Sequence, residues 1–225
     1  MLFRSVSYKI QRLINQDIQD YSANFGWQGV VYPLGNKVIL NVPQNTNSRS
    51  HQYVMNTINQ SWCSYGIIAT PWNAACFCVL GDNLYWGGNT KVQLGDVGQS
   101  DGGSQITGTL QPAYSYVGTD RQKQFTMVRP LLQTTGTVRP AMALNVDFQT
   151  RLPTGTPTFS GTTTPIWNVA LWNVSYWSSG PLTQKNWQYV GGIGFSATVY
   201  LTVASNAAEV SLLSIDYVYK QGGIL

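Results

Sequence analysis

Residues 74–94 read AACFCVLGDNLYWGGNTKVQL, and in them three short apolar runs are separated by two turn signals. Gly81-Asp82-Asn83 and Gly87-Gly88-Asn89 supply residue types that accept the backbone conformations of tight turns. Short apolar runs between such turns are typical of antiparallel strands. This stretch therefore predicts a three-stranded meander, similar to part of a β-propeller blade.

The same two-residue period extends toward the N-terminus. Residues 27–32 and 37–42 flank the turn Pro33-Leu34-Gly35-Asn36 and predict a β-hairpin, and a further strand is expected at residues 52–56. Strands that recur about every 8–12 residues favour an all-β fold over an α/β enzyme. A propeller needs at least about four blades of roughly 40–50 residues. Residues 24–94 therefore predict only a partial propeller.

The N-terminal segment has a helical period instead. Over residues 5–22, apolar side chains recur at three- and four-residue intervals with polar ones between them, which predicts one amphipathic helix. The apolar positions are Val6, Ile10, Leu13, Ile14, Ile18 and Tyr21. Because this helix starts almost at Met1 with no leading strand, we expect the chain to be the C-terminal part of a longer architecture.

A segment rich in glycine, aspartate and serine, residues 95–104, predicts a linker between a first domain at residues 1–94 and a second at residues 105–225. Beyond the linker the expected strands are longer, at residues 106–111, 125–132, 141–148, 197–204 and 210–219. We expect an antiparallel β-sandwich there. The predicted fold class is thus all-β, with partial propeller blades, a sandwich and one N-terminal helix.

The composition excludes several classes of protein. Only 10% of the 225 residues are charged and 43% are apolar, which argues against a disordered chain. The 18 Gln and 16 Asn outnumber nine carboxylates, and this polarity suits strand edges and subunit contacts. The net charge of +4 is too mild to indicate nucleic-acid binding by itself. No apolar run approaches the ~18 residues of a membrane-spanning helix, so no membrane span is expected.

The three cysteines, Cys63, Cys76 and Cys78, cannot form a closed set of disulfides and indicate a reducing compartment. Cys76 and Cys78 share one face of a predicted buried strand, where we expect inert core thiols. Their spacing relative to Cys63 and the lone His51 lacks the ligand pairs of a zinc site. We therefore predict no metal site.

Catalytic constellations are absent from the sequence pattern. His51 lies far in sequence from any aspartate that could orient it, which argues against a nucleophilic triad. Asp147 and Asp216 are the best glycosidase candidates, but strand-surface carboxylates are commoner. Gly191-Gly192-Ile193-Gly194 is followed by a β-pattern and predicts a turn or bulge rather than a dinucleotide loop. We predict no enzyme activity, no catalytic residues and no cofactor; a glycan hydrolase is the weakest alternative.

Four basic residues gather between the linker and the middle of the second domain: Arg121, Lys123, Arg129 and Arg139. Their spacing fits a strand with one solvated face, and it also fits a surface that contacts a neighbouring subunit or DNA. Only Asp120 compensates their charge locally. We expect these residues to meet a charged partner rather than a small ligand.

Three tryptophans recur every five residues at Trp167, Trp172 and Trp177. An odd period on a regular strand places successive rings on opposite faces, so they do not form one continuous platform. Packing at a loop or a subunit interface is the favoured interpretation, because tryptophan is enriched at interfaces. Stacking on a glycan is the alternative.

Several of these segments, taken in order, carry a resemblance. They are Phe25-Gly26-Trp27-Gln28, Tyr32-Pro33-Leu34-Gly35-Asn36, Val42-Pro43, His51-Gln52-Tyr53-Val54-Met55-Asn56-Thr57, Trp62-Cys63, Trp72-Asn73-Ala74-Ala75-Cys76-Phe77, Leu84-Tyr85-Trp86-Gly87, Gln124-Phe125-Thr126-Met127-Val128-Arg129-Pro130, Trp172-Asn173-Val174 and Gly191-Gly192-Ile193-Gly194. As a set they make the sequence resemble the C-terminal portion of tail nozzle or tail tubular proteins of short-tailed bacteriophages, which bear propellers.

The resemblance implies a structural protein of the virion, assembled in the cytoplasm of the bacterial host. Such proteins form a ring, commonly of six subunits, beneath the portal and adaptor and beside the tail fibre proteins. The ring encloses the channel through which double-stranded DNA leaves, and the DNA contact is independent of sequence. The family is longer, so further blades are expected from a longer chain or another polypeptide. A carbohydrate- or receptor-binding β module of a phage tail is the alternative.

Overall fold

A computed structural model describes residues 6–45, 49–65, 74–88, 90–160 and 181–222. In these ranges the chain is mostly β-strand, arranged in several antiparallel sheets, with one short α-helix. The predicted all-β class with an N-terminal helix is therefore confirmed. The chain divides into two compact units, Met1–Val97 and Gly98–Leu225, and the division lies within residues 95–104.

The first unit contains helix α1 and seven strands: α1 Gln11–Tyr21, β1 Gln28–Tyr32, β2 Lys37–Asn45, β3 Arg49–Asn56, β4 Trp62–Tyr65, β5 Cys76–Leu80, β6 Asn83–Gly88 and β7 Lys91–Gly95. The second unit contains nine: β8 Ile106–Leu110, β9 Lys123–Thr134, β10 Thr137–Arg139, β11 Ala141–Val146, β12 Thr158–Ser160, β13 Leu182–Lys185, β14 Gln188–Gly194, β15 Ala197–Ser205 and β16 Val210–Gln221. These numbers refer to the described ranges.

The first unit is built from two antiparallel meanders, β1-β2-β3-β4 and β5-β6-β7. The expected turn between β1 and β2 is present, with the Asn36 amide donating to the Pro33 carbonyl at 2.9 Å. Gly35 is required there because a Cβ would lie 2.5 Å from the Tyr32 ring. Asn36 itself has φ of 50°, a left-handed conformation that asparagine accepts better than most residues.

Strand alternation gives the four-stranded meander two buried faces. On one face, Ile39 and Val54 pack with Phe77, Leu84 and Trp86 of the second meander in a common cluster. On the other face, Val42 and Tyr53 pack against the helix through Ile10, Ile14 and Tyr21. The predicted helical stripe is corrected here: Leu13 and Ile18 are 53% and 47% exposed, so the buried face follows positions 10, 14, 17 and 21.

Carboxamides join the elements of this unit from within. The Gln28 side chain donates to the Phe77 carbonyl at 2.9 Å and accepts from the Phe77 amide at 2.7 Å, so it pairs with β5 as a strand backbone would. Asn41 is fully buried and donates to the carbonyls of Gly26 and Ala74. Gln52 donates in turn to the Asn41 side-chain oxygen at 2.8 Å. Part of the carboxamide content therefore serves internal joints, in addition to any surface role.

The second unit contains one sheet ordered β11-β15-β8 and another in which β9 pairs with β13 and β14 on one side and β16 on the other. Both sheets contribute to one cluster, through Phe125 and Val128 of β9 and Leu144, Val199 and Leu201 of β11 and β15. A two-stranded ladder of β10 and β12 completes the described sheets.

A bulge in β9 changes which residues point inward. Thr126 has no partner in the ladder with β16, since Phe125 pairs with Tyr219 and Met127 with Val218. The extra residue shifts the alternation by one position. Lys123 and Phe125 before the bulge therefore face the same side as Val128 after it, and all three are buried.

We predict that Gln28→Ala lowers the free energy of unfolding of the first unit by about 1–3 kcal/mol, because both polar groups of the Phe77 backbone lose their partner. Urea denaturation followed by tryptophan fluorescence measures the change. Gln19→Ala, on the exposed side of α1, is the control and should change stability by no more than about 0.5 kcal/mol. Equal effects of the two substitutions would contradict this role of Gln28.

Candidate interaction faces

The outer side of the β5-β6-β7 meander is an uncharged and largely apolar surface, here called the Val92 face. Cross-strand pairing brings its members together: Cys76, Cys78, Leu80, Asn83, Tyr85, Gly87, Val92 and Leu94. Val92 is 77% exposed, Leu80 69% and Leu94 46%. Contiguous exposed apolar residues of this kind mark interaction sites.

The cysteines of β5 lie on this face. Cys76 and Cys78 share one side of the strand, as expected, but both are exposed while Phe77 between them is buried. The prediction that these thiols are core residues is therefore wrong for this chain. Alternation fixes which residues share a side, and the larger apolar area of Phe77 decides which side points inward. Cys63 on β4 is also exposed.

A buried polar cluster lies where α1 meets β3. Asp17 Oδ2 accepts a 2.6 Å hydrogen bond from the Tyr53 hydroxyl and lies 3.1 Å from His51 Nε2. His51 lies far in sequence from any aspartate that could orient it, but the structure brings Asp17 to it across 34 positions. One feature of the sequence does indicate this contact: Asp17 lies on the same face of the helix as Ile10, Ile14 and Tyr21. A carboxylate on a buried stripe implies a partner.

This cluster is enclosed rather than open to a substrate. His51 is 4% exposed, and its Nδ1 has no hydrogen-bond partner among the described residues. Burial, reinforced by the nearby Asp17 carboxylate, raises the pKa of Tyr53 well above its ordinary value. The arrangement ties the helix to the sheet through hydrogen bonds and keeps the phenol neutral.

The four basic residues do not act as one group. Arg121 and Arg139 are exposed, and Arg129 is half-buried. Lys123 is fully buried, and its Nζ donates to three backbone carbonyls, those of Thr119, Arg121 and Phe195. The expectation that Lys123 contacts a partner is corrected, because the bulge at Thr126 turns its side chain inward. Through these hydrogen bonds, Lys123 connects the loop between β14 and β15 to the start of β9.

Arg129 is the centre of a second exposed surface, here called the Arg129 face. Its guanidinium donates to Asp216 Oδ2 at 2.9 and 2.6 Å and lies 4.6 Å from the centre of the Trp187 ring. In the neighbouring row, Met127 pairs with Tyr189 on one side and Val218 on the other. Tyr189 is 82% exposed, Val218 41% and Trp187 40%. The face combines aromatic, aliphatic and charged groups, as interfaces do.

Asp147 and Asp216, the two carboxylates predicted to lie in strands, have partners within the chain. Asp216 lies in β16, but Asp147 lies in the turn after β11, so the strand prediction is wrong for Asp147. Asp216 pairs with Arg129, as described above. Asp147 accepts hydrogen bonds from the backbone amides of Phe195 and Ser196 at 2.9 and 3.0 Å. A Cβ at Gly194 would lie 2.6 Å from the Asp147 carboxylate, so glycine is needed there. β14 shifts register between Tyr189 and Gly192, which confirms a bulge in the glycine-rich segment.

The remaining sequence predictions concern three tryptophans, membrane-spanning helices and metal sites. Trp167, Trp172 and Trp177 lie outside the described residues. Within the described residues, no helix is long and apolar enough to cross a membrane. No group of three or more His, Cys, Asp or Glu side chains in those ranges is placed to hold a metal ion. Neither a protein-family model nor a curated protein matches the chain.

The raised pKa of Tyr53 gives a pH dependence. Its folded pKa exceeds the unfolded value of about 10, so its contribution to stability is complete below about pH 10 and is lost as the pH rises further. Tyr53→Phe should cost about 1–2 kcal/mol at neutral pH and should lose less additional stability than wild type above about pH 10. Urea denaturation at a series of pH values tests this, with Tyr85→Phe as the control. Parallel pH profiles for wild type and Tyr53→Phe would contradict it.

Replacement of Lys123 by methionine should destabilise the second unit by about 3 kcal/mol or more, because three partly buried backbone carbonyls lose a charged donor. The matched control is Arg121→Met, which removes an exposed positive charge two residues away and should change stability by no more than about 0.5 kcal/mol. Thermal and urea denaturation measure both variants. A Lys123→Met variant as stable as Arg121→Met would show that the hydrogen bonds of Lys123 do not stabilise the second unit.

Proposed function

We propose that this chain is a structural protein of a bacteriophage tail, part of the nozzle or tail-tube ring around the channel for genome ejection, and that it is not an enzyme. The ordered segments that resemble this family support the proposal. The observation that carries it is the Val92 face, an uncharged apolar sheet surface exposed in the single chain. Such a surface is suited to assembly.

The two meanders of the first unit support a blade-like arrangement. Consecutive blades of a propeller pack face to face, and β5-β6-β7 packs against β1-β2-β3-β4 through Phe77 and Trp86. The opposite side of the second meander repeats this chemistry, with Leu80, Val92 and Leu94 exposed. We infer that the Val92 face packs against a further sheet supplied by a neighbouring copy in the ring.

The second unit is proposed to act as a β-sandwich that contributes further contacts. Its two sheets share the cluster around Phe125, and its Arg129 face offers aromatic and charged groups. Arg121 and Arg139, both exposed, remain candidates for contact with a neighbouring subunit or with DNA. A DNA contact made by so few cations would be weak, independent of sequence and sensitive to salt.

The remaining expectations belong to the same proposal and rest on the resemblance. They are a ring of six copies, contacts with the portal, adaptor and tail fibre proteins, enclosure of double-stranded DNA, and a location in the virion after assembly in the host cytoplasm. No cofactor or metal is part of the proposed function.

The alternative function is binding of a carbohydrate or receptor, and Trp187 with Tyr189 favours it because both rings are exposed near each other. Arg129 already lies over the Trp187 ring, which leaves less of that ring for a sugar. Glycan-array binding that is lost in Tyr189→Ala and in Trp172→Ala would support this alternative.

The assembly proposal is tested by Val92→Glu. The side chain is 77% exposed, so the single chain should fold normally, whereas a carboxylate buried between packed sheets would be unpaired and costly. We expect higher oligomers in wild type and their loss in the variant, measured by analytical ultracentrifugation. Val31→Glu, at a 60% exposed strand valine on the other meander, is the matched control and should assemble like wild type. Equal assembly of Val92→Glu and wild type would contradict the proposal.

A further inference from the structure

Strand β8 forms an exposed sheet edge in the second unit. It pairs with β15 on one side, and in the described residues no strand pairs with its other side. Four of its five residues are exposed. Unpaired backbone groups along such an edge are a template for pairing with another chain.

This edge lacks the devices that usually block such pairing. Residues 105–111 read QITGTLQ, with no charge and no proline. The ladder between β8 and β15 has no bulge, whereas the ladder that joins the edge strand β16 to β9 has two register shifts. Charges, prolines and bulges are what protect natural edges. The edge strand β11 lacks them too, but none of its residues is exposed, whereas four of the five residues of β8 are.

An apolar groove of about 520 Å³ runs beside β8. It is lined mainly by aliphatic side chains of four strands, among them Ile106, Leu110, Leu132, Leu201, Val203 and Leu212. Ile106 is 51% exposed and Leu110 45%, although their ladder partners Ser205 and Leu201 are buried. Apolar side chains beside the core of the second unit are therefore exposed to solvent along this edge.

The sequence of the edge reads almost the same in both directions. We propose that two copies of this chain pair, in the unassembled protein, through antiparallel contact of their β8 edges centred on Gly108. In that register Ile106 faces Leu110 of the second copy, and Thr107 faces Thr109 of the second copy. Aliphatic residues meet aliphatic ones, threonines meet threonines, and such cross-strand pairs are favourable. The glutamines at positions 105 and 111 meet at both ends.

The absence of charged residues from β8 also favours a twofold contact. A twofold axis brings equivalent parts of two identical chains together, so a charged edge would place like charges near each other. Residues 105–111 carry none, and the exposed Glu209 at the groove lies in the β15–β16 turn, outside the paired strands. Five residues from each copy form a contact well below the roughly 1,200–2,000 Å² of stable interfaces. The pair is therefore weak and dependent on concentration.

This contact is separate from the proposed ring. A twofold contact uses the same surface on both copies, whereas a ring is built from head-to-tail contacts between two different surfaces. The β8 edge belongs to the second unit and the Val92 face to the first. A substitution in one can therefore be tested without altering the other.

Gly108 offers a direct test. A Cβ at this position meets nothing within 4 Å, so Gly108→Lys should leave the single chain folded and bring two like charges together at the proposed axis. The test uses Val92→Glu as its background, because that substitution removes the proposed ring contact. We expect this chain to show a dimer by analytical ultracentrifugation, and the added Gly108→Lys substitution to raise the dissociation constant by about tenfold or more. Gly29→Lys in the same background, at another strand glycine with open space, is the matched control and should pair like Val92→Glu alone.

A mixing experiment separates pairing from indirect effects. Gly108→Glu alone should also fail to pair, but an equimolar mixture with Gly108→Lys should restore the dimer, because opposite charges then meet at the axis. Restoration supports the proposal. A Val92→Glu chain that shows no dimer at its highest soluble concentration, or a dimer that Gly108→Lys leaves unchanged, or a mixture that does not pair, overturns it.

Discussion

The joint between Gln28 and Phe77 fixes the arrangement of the first unit. One carboxamide satisfies both backbone groups of a residue on the neighbouring meander, while the Phe77 side chain enters the cluster shared by both sheets. Successive side chains of a strand point to opposite faces of the sheet. Because the Phe77 side chain points inward, Cys76 and Cys78 point outward and form part of the Val92 face. The surface proposed for assembly is therefore a consequence of the inward packing of Phe77 between the two meanders.

Buried polar groups in both units serve the scaffold. Asn41 and Lys123 donate to backbone carbonyls that no ladder satisfies, and Asp17 receives hydrogen bonds from β3. Each of these groups is costly to bury alone and stabilising when fully paired. Asn41, Lys123 and Asp17 thus make structural contacts, which fits a protein that acts through its surfaces.

The sequence predicted strands and turns well because the period of two and the glycine turns are local signals. It did not predict which side of β5 is buried, since that depends on the competition between Phe77 and two small thiols for one core. It also missed the inward turn of Lys123, because the bulge at Thr126 arises from pairing with β16, which lies more than 80 positions away. The cluster of Asp17 and His51 was missed for the same reason: its members meet only after the helix packs on the sheet.

The proposed assembly requires that the Val92 face becomes buried between neighbouring copies. The most direct measurement is the rate at which a maleimide labels each thiol in the free chain and in the assembled protein, read by peptide mass spectrometry. Cys63, which lies on the other meander, is the internal reference. We expect Cys76 and Cys78 to react readily in the free chain and to be protected in the assembly, while Cys63 keeps its labelling rate. Unchanged labelling of Cys76 and Cys78 in the assembled protein would contradict it.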